Sequence, residues 1–291
     1  MITRTFHNES IGRYSQARSI LLILPIFLFL AFFYLCPLIK LFPTSLFTAD
    51  KFTWEHYEHF FREPLYLNVL LRTIRISFIV TSICFVLAYP VAYFLSSIKS
   101  SVSTVLLAVF VLLPFWTSIL VRSYSWIVLC QSNGTINQLL LFLGLIDQPL
   151  PLLHNEFAVT VGMIHILLPF MILPIYSVLK SVDPNLNRAA RNLGASPFWV
   201  FILIIFPLSL PGVGAGVLFV FILSLGFYVT PALLGGPSTL MISTLIDQQI
   251  NRSLNWEFAA AIAVLLLITT IIMIVIFNKL VGLDKIYSEK V

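Results

Sequence analysis

Hydrophobic residues run along this chain in long blocks parted by shorter polar stretches, a spacing too long for strands and too continuously apolar for soluble amphipathic helices. Residues 19–39 are apolar over about twenty positions, enough for a helix to cross roughly 30 Å of hydrocarbon. Comparable blocks follow at 68–97, 104–129, 157–179, 199–229 and 257–277, which predicts an all-α polytopic membrane protein with six transmembrane helices. The first block could be read as a secretory signal, but it is long and no small-residue cleavage site precedes Pro37 and Lys40, so an uncleaved span is expected. Pro114 should break the third span, and Pro207 and Pro211 should kink the fifth, which Gly212, Gly214 and Gly216 should loosen.

The polar stretches differ in kind. Residues 42–67 mix charges with Trp54, Tyr57, Phe60, Phe61 and Tyr66, as an interfacial helix at headgroup level would. Residues 131–156 hold no Lys or Arg and carry a short apolar helix, 136–143, ended by Gly144; residues 231–256 are punctuated by Gly and Pro, with a short re-entrant helix expected near 241–250. Residues 181–211 look built as a unit. Asp183 followed by Pro184 is an N-cap and first-turn proline, and Leu186, Ala189, Ala190 and Leu193 then share one face while Asn185, Arg188, Arg191 and Asn192 share the other. Gly194 should end that helix in a left-handed turn, and Ser196-Pro197 should start the next helix as Asp183-Pro184 started the first.

Composition agrees with the bilayer: 59% hydrophobic and 10% charged residues, with a mean hydropathy of +0.99, leave too little polar surface for a soluble fold. The net charge of +5 comes from Lys and Arg scattered singly, with no basic run that would suggest nucleic acid. Their distribution sets orientation. With the N-terminus inside, Arg4, Arg13, Arg18, Lys99, Lys180, Arg188, Arg191, Lys279, Lys285 and Lys290 are cytoplasmic, ten of the 17 basic residues. Three of the other seven, Arg72, Arg75 and Arg122, lie at or within span ends, so N-in, C-in topology is favoured. No internal repeat appears, and one membrane domain, 19–281, is expected between a cytoplasmic segment 1–18 and a cytoplasmic tail 282–291, with the loop 181–198 also cytoplasmic. Cys36, Cys84 and Cys130 form no motif and read as inert buried thiols.

All twelve acidic residues fall in loops or at span ends, so the bundle has no interior carboxylate to carry a proton, and the driving energy should come from elsewhere. Walker-type loops, HExxH and Cys/His metal clusters are likewise missing, so neither ATP hydrolysis, nor another enzymatic reaction, nor a metal or cofactor is expected of this chain. An external ATPase must then dock, and a rigid helix continuing into a span is a suitable lever. Trp116, Arg122 and Tyr124 near the end of the third span, and Asp247 with Gln248 and Gln249 in the last outer loop, are candidate pathway residues. For Arg122 and Tyr124, snorkelling and belt roles compete with a pathway role, and for Trp116 packing competes with stacking on a cationic solute. Asp247 and its neighbours could equally be a solvated face, and His165 reads as a satisfied interior histidine.

Ala189 and Ala190, three residues, Gly194, nine residues, then Ile204, Phe206 and Pro207 resemble the shared loop of the membrane permeases of binding-protein-dependent ABC importers. Arg188 stands where that motif has Glu, and Phe206 where it has Leu. The similarity continues through LPFWTSILVRSYSW, NQLLLFLGLID, LLPFMILPIYS and TPALLGGPSTLM, which resemble the spermidine/putrescine-type branch from about Pro64 to the C-terminus. The resemblance implies a bacterial inner-membrane permease importing a polyamine, a related organic cation or an amino-acid-like solute. It also implies an ATP-binding subunit dimer, a second permease subunit and an extracytoplasmic solute-binding protein as partners, besides membrane lipid. Arg188, Ala189, Ala190, Gly194, Ala195 and Pro207 would then couple the permease to the ATPase. A secondary transporter or channel without an ATPase is the competing expectation.

Overall fold

The computed structural model describes residues 16–48, 51–98 and 100–281. Arg4, Arg13, Lys99, Lys285, Lys290 and the tail 282–291 lie outside the described residues.

The first hydrophobic block folds as one rod: α1 (Gln16–Leu30), a π-helical turn at Ala31–Leu35, and α2 (Cys36–Leu46). Its membrane-length part, Ile23–Leu46, runs past Lys40, where the sequence pattern ends the span, because a long ammonium side chain can lie along a helix and keep its head in water. A two-residue antiparallel hairpin, β1 (Phe47–Thr48) with β2 (Lys51–Phe52), turns the chain into α3 (Glu55–Arg62). α4 (Pro64–Ser97) is 34 residues, so about 50 Å long, and therefore exceeds the hydrocarbon thickness.

The third block is not one helix. α5 (Ser101–Trp116) and α6 (Ile119–Cys130) part at Thr117 and Ser118, downstream of the expected break at Pro114. Pro114 stays helical; its carbonyl accepts the Thr117 Oγ1 proton at 2.9 Å just past the end of α5, and Ser118 is extended at ψ 140°. Among the described residues, five helical segments are long and apolar enough to cross a membrane, and the third hydrophobic block is divided between the shorter helices α5 and α6.

α7 (Thr135–Phe142) ends at Gly144 (φ +66°), as its sequence predicts, and buried Asn137 pins it by bonding the Gln131 and Leu150 backbones. α8 (Glu156–Ser181) starts from the Asn155 side chain, which accepts the Ala158 N–H at 2.9 Å. After α9 (Pro184–Asn192) and α10 (Pro197–Val200), Phe201–Ile205 widens into a π turn before α11 (Phe206–Leu225). Pro207 accounts for the widening: it brings no N–H and its ring displaces the carbonyl one turn back. α12 (Val229–Leu234), a 3₁₀ turn (Pro237–Thr239), α13 (Ile242–Asn251) and α14 (Trp256–Val281) complete the chain.

The core is the packing of α4, α8 and α11, through Ile76, Val80 and Ala88, Met163, Met171 and Ile175, and Val220. Gly212 and Gly216 sit at the tightest part of it: a Cβ on Gly212 would meet the Pro174 carbonyl at 2.8 Å, and one on Gly216 the Met171 sulfur at 2.8 Å. These glycines let two backbones approach closely rather than loosening α11. A second cluster, Phe60, Val69, Ile242, Leu245, Phe258 and Ile262, joins α3, α4, α13 and α14. α2 packs along α14, whereas Ile23, Ile26, Phe27 and Phe29 of α1 are each at least 60% exposed, as suits a helix in hydrocarbon. Cys84 and Cys130 are buried, and Cys36 is half-buried.

Candidate functional site

Two ends of the bundle can be told apart from contacts alone. Glu156 opens α8 and is held by Arg72 and Arg75, which lie in the N-terminal half of α4. The Thr73 hydroxyl accepts the Ile242 N–H at 2.9 Å, so α13 belongs to this same end. α9 follows the C-terminus of α8 and so lies at the opposite end.

At the α9 end, the Asp183 carboxylate accepts the Asn185 N–H at 2.9 Å, which satisfies one of the helix's free amide groups. Gly194 takes φ +87°, and the Ala195 N–H reaches back to the Ala190 carbonyl at 3.1 Å, closing the turn. Ser196 departs from expectation: it precedes Pro197 but makes no side-chain cap, and α10 starts on the backbone bond from Val200 to Ser196 alone. No residue of α9 is fully buried, and Asn187 and Ala190 are half-buried. Leu186 is 44% and Leu193 89% exposed, so the apolar face of this helix is open. Among the described residues, Arg188 reaches only the Asn185 side chain, at 3.5 Å. Pro207 lies one helical segment further on, at the start of α11.

At mid-height the α5–α6 break opens into a cavity of about 400 Å³, walled by Phe115, Ile166, Phe170, Leu223 and Phe227 and entered by Thr117, Ser118 and Arg122. Of the three residues singled out on this stretch, only Arg122 faces the cavity; Trp116 is 79% and Tyr124 56% exposed on the outside of the broken helix. His165 is satisfied in place by the Trp126 indole N–H at 3.2 Å. A largely apolar recess of about 500 Å³ between α4, α11 and α14, with Thr81 and Ser82 in its lining, offers no charged group and suits hydrocarbon rather than a polar solute.

At the far end, Ser243 donates to the Phe227 carbonyl at 2.6 Å and fixes α13 against the turn after α11. Asp247, one turn along α13, accepts from Asn251 at 2.6 Å. Partial burial, and then the neighbouring Asp247 carboxylate, hold the Tyr228 phenol above its ordinary range. Asp247 and Gln248 are half-buried, and neither touches the Arg122 cavity.

Sequence reasoning missed the groups that tie these parts together. The Arg72–Glu156–Arg75 clasp, the buried Ser123–Thr230 pair at 3.0 Å and the Tyr89–Ser209 pair at 2.9 Å join residues 81, 107 and 120 positions apart or nearly so, with no local signal for any of them.

The family model for the binding-protein-dependent transport system inner membrane component matches residues 18–282, nearly the whole chain. This chain belongs to that family. The permease is 36% identical over 255 residues to the spermidine/putrescine transport system permease protein PotB of Escherichia coli, covering 85% of this chain and 92% of that one. With PotB of Haemophilus influenzae the identity is 36% over 273 residues, 91% and 94% of the two chains. The spermidine/putrescine permease PotC of Escherichia coli is similar over a shorter stretch, 36% over 118 residues. Among solved structures, a chain of a bacterial ABC transporter that imports the acidic polysaccharide alginate superposes with a TM-score of 0.76 over 92% of this permease and 96% of that chain, at 18% identity, a likeness of fold. The permease is a multi-pass inner-membrane protein of an ABC importer.

Proposed function

We propose that this permease and a second permease subunit together line the pathway of an importer for a small polycation of the spermidine/putrescine class. The observation that carries the reading is similarity to PotB along 85% of the chain, with 92% of that relative covered. A solute-binding protein delivers the cargo at the α13 end, and an ATP-binding subunit dimer docks at the α9 end. The excess of Lys and Arg makes the α9 end cytoplasmic, with both termini inside, one membrane domain at 19–281 and short cytoplasmic segments at 1–18 and 282–291. The exposed Leu186 and Leu193 supply the apolar contact of α9, and Ala189, Ala190 and the Gly194–Ala195 turn let the ATPase approach closely. Arg188 stands beside that contact, and Pro207 passes the movement into α11. ATP hydrolysis belongs to the docked subunits, and this chain performs no enzymatic step.

The test is uptake of labelled spermidine by proteoliposomes holding the assembled transporter and its binding protein. Uptake should require ATP and the binding protein. Uptake that follows an ion or solute gradient without ATP would establish the competing secondary transporter or channel.

A further inference from the structure

We infer that Arg122 is the electrostatic barrier of the resting permease, which keeps small inorganic cations out of the pathway. The inference rests on the chain being a transport permease and concerns its resting state alone; a polycationic cargo of the class proposed above would meet the same repulsion, so Arg122 must be displaced from the pathway when cargo passes.

The argument starts from the break. α5 and α6 hold 16 and 12 residues, so the break lies about 24 Å from one end of the broken span and about 18 Å from the other, within the hydrocarbon. Irregular backbone at that depth persists only where protein covers it or where it lines a water-filled cavity. Here it borders the cavity of about 400 Å³, and Ser118 supplies no side-chain cap to the first-turn N–H groups of α6. Thr117, Ser118 and Arg122 make this the polar point of an otherwise apolar wall. Water in such a space would carry protons and alkali ions as readily as cargo unless the local potential opposed them.

Arg122 provides that potential. Its Nε is buried without a hydrogen-bond partner, and among the described residues no carboxylate lies within ion-pair distance of it. The lining contains no acidic residue at all. The N-terminus of α6, at which Arg122 sits, adds a partial positive charge of the same sign. An unneutralised guanidinium at a small cavity with mostly apolar walls repels entering cations strongly, and fixed positive groups are a known physical means of excluding protons and cations from pores. The placement is held from both sides: the neighbouring Ser123 is tied to Thr230 of α12, and Phe227 closes the rim.

The test uses the assembled transporter in liposomes, without ATP or cargo, with a potassium gradient and a potential-sensitive dye. Wild-type and Arg122→Lys vesicles should be tight, and Arg122→Gln should pass potassium about tenfold faster or more. Phe170→Ala, which enlarges the cavity while keeping the guanidinium, gives a second measurement if Arg122→Gln does not assemble. Any leak it opens should favour chloride over potassium in the reversal potential, and adding Arg122→Gln should erase that preference. Arg122→Gln vesicles as tight as wild type, or a Phe170→Ala leak with no preference for chloride, would overturn the inference.

Discussion

Gly212 of α11 lies against the backbone of α8 so closely that a Cβ would come within 2.8 Å of the Pro174 carbonyl oxygen and 3.0 Å of the Val178 side chain. A carbonyl in a helix cannot swing aside as a side-chain end can, so the two helices would have to separate. Gly212→Ala should lower the apparent melting temperature of the detergent-solubilised permease, at a cost of about 1–3 kcal/mol. Gly226 provides the control, since nothing lies within 4 Å of its added Cβ and its φ is −94°. Gly226→Ala should leave the melting temperature unchanged, and equal losses at both positions would contradict the close-packing account.

Glu156 receives two guanidinium groups, Arg72 and Arg75, and so joins the start of α8 to α4. Arg75 is largely exposed, so its share is screened by salt, whereas Arg72 is mostly buried and would be left without its partner. Glu156→Gln should therefore destabilise by about 1 kcal/mol or more, and Arg75→Ala by less. Thermal unfolding at low and high salt would show it, with the gap between wild type and Arg75→Ala closing as salt rises. A larger loss from Arg75→Ala than from Glu156→Gln would mean that the exposed pair dominates.

What could be read from the sequence was what is local. Asp183-Pro184 and Gly194 bound α9 because a cap, a fixed φ and a left-handed glycine each act within one turn. The apolar blocks marked the spans because hydrocarbon asks only for length and hydropathy. The α5–α6 break was misplaced because Pro114 alone does not decide it: α5 continues through Pro114 to Trp116, and the backbone leaves the helix only at Thr117 and Ser118. The glycines of α11 were misread because their use depends on α8, more than 30 positions away in the chain. Arg122 was visible as a charge near a span end, but its separation from Trp116 and Tyr124 depends on how the broken helix turns around the cavity.

Orientation can be measured directly. Cysteines placed at Asn133 and Ser238 should react with an impermeant thiol reagent in intact cells, while those at Ser100 and Asn185 should react only after permeabilisation. The reverse pattern would put α9 outside and remove its proposed contact with an ATPase.

Asp247 sits beside Tyr228 at the end where cargo is proposed to enter. A carboxylate there attracts an ammonium group, so Asp247→Asn should weaken uptake of spermidine at limiting concentration by several-fold, from the loss of roughly 1 kcal/mol. Assembly and uptake at saturating spermidine should be preserved. Unchanged uptake at limiting substrate would mark Asp247 as a solvated surface residue held by Asn251.

Gly194 and Arg188 separate two ways in which α9 could engage an ATPase. Gly194 has φ +87° and nothing within 4 Å of an added Cβ, so a substitution there acts through backbone strain alone. A β-branched residue costs about 1–2 kcal/mol or more in that region, whereas Asn tolerates it comparatively well. Arg188 is exposed and, among the described residues, bonded only to Asn185, so an ion pair it made with a docked subunit would be worth under about 1 kcal/mol. The elbow sets the direction in which α9 continues toward α10 and α11, and in the proposed docking the small faces of Ala189 and Ala190 would set how closely the ATPase approaches. Gly194→Val should thus abolish ATP-driven uptake with the permease still inserted, Gly194→Asn should retain a substantial part of it, and Arg188→Ala should reduce it modestly. The outcome that overturns this ordering is release of the ATPase from the membrane by Arg188→Ala while Gly194→Val transports normally, since charge rather than the shape of the elbow would then hold the two subunits together.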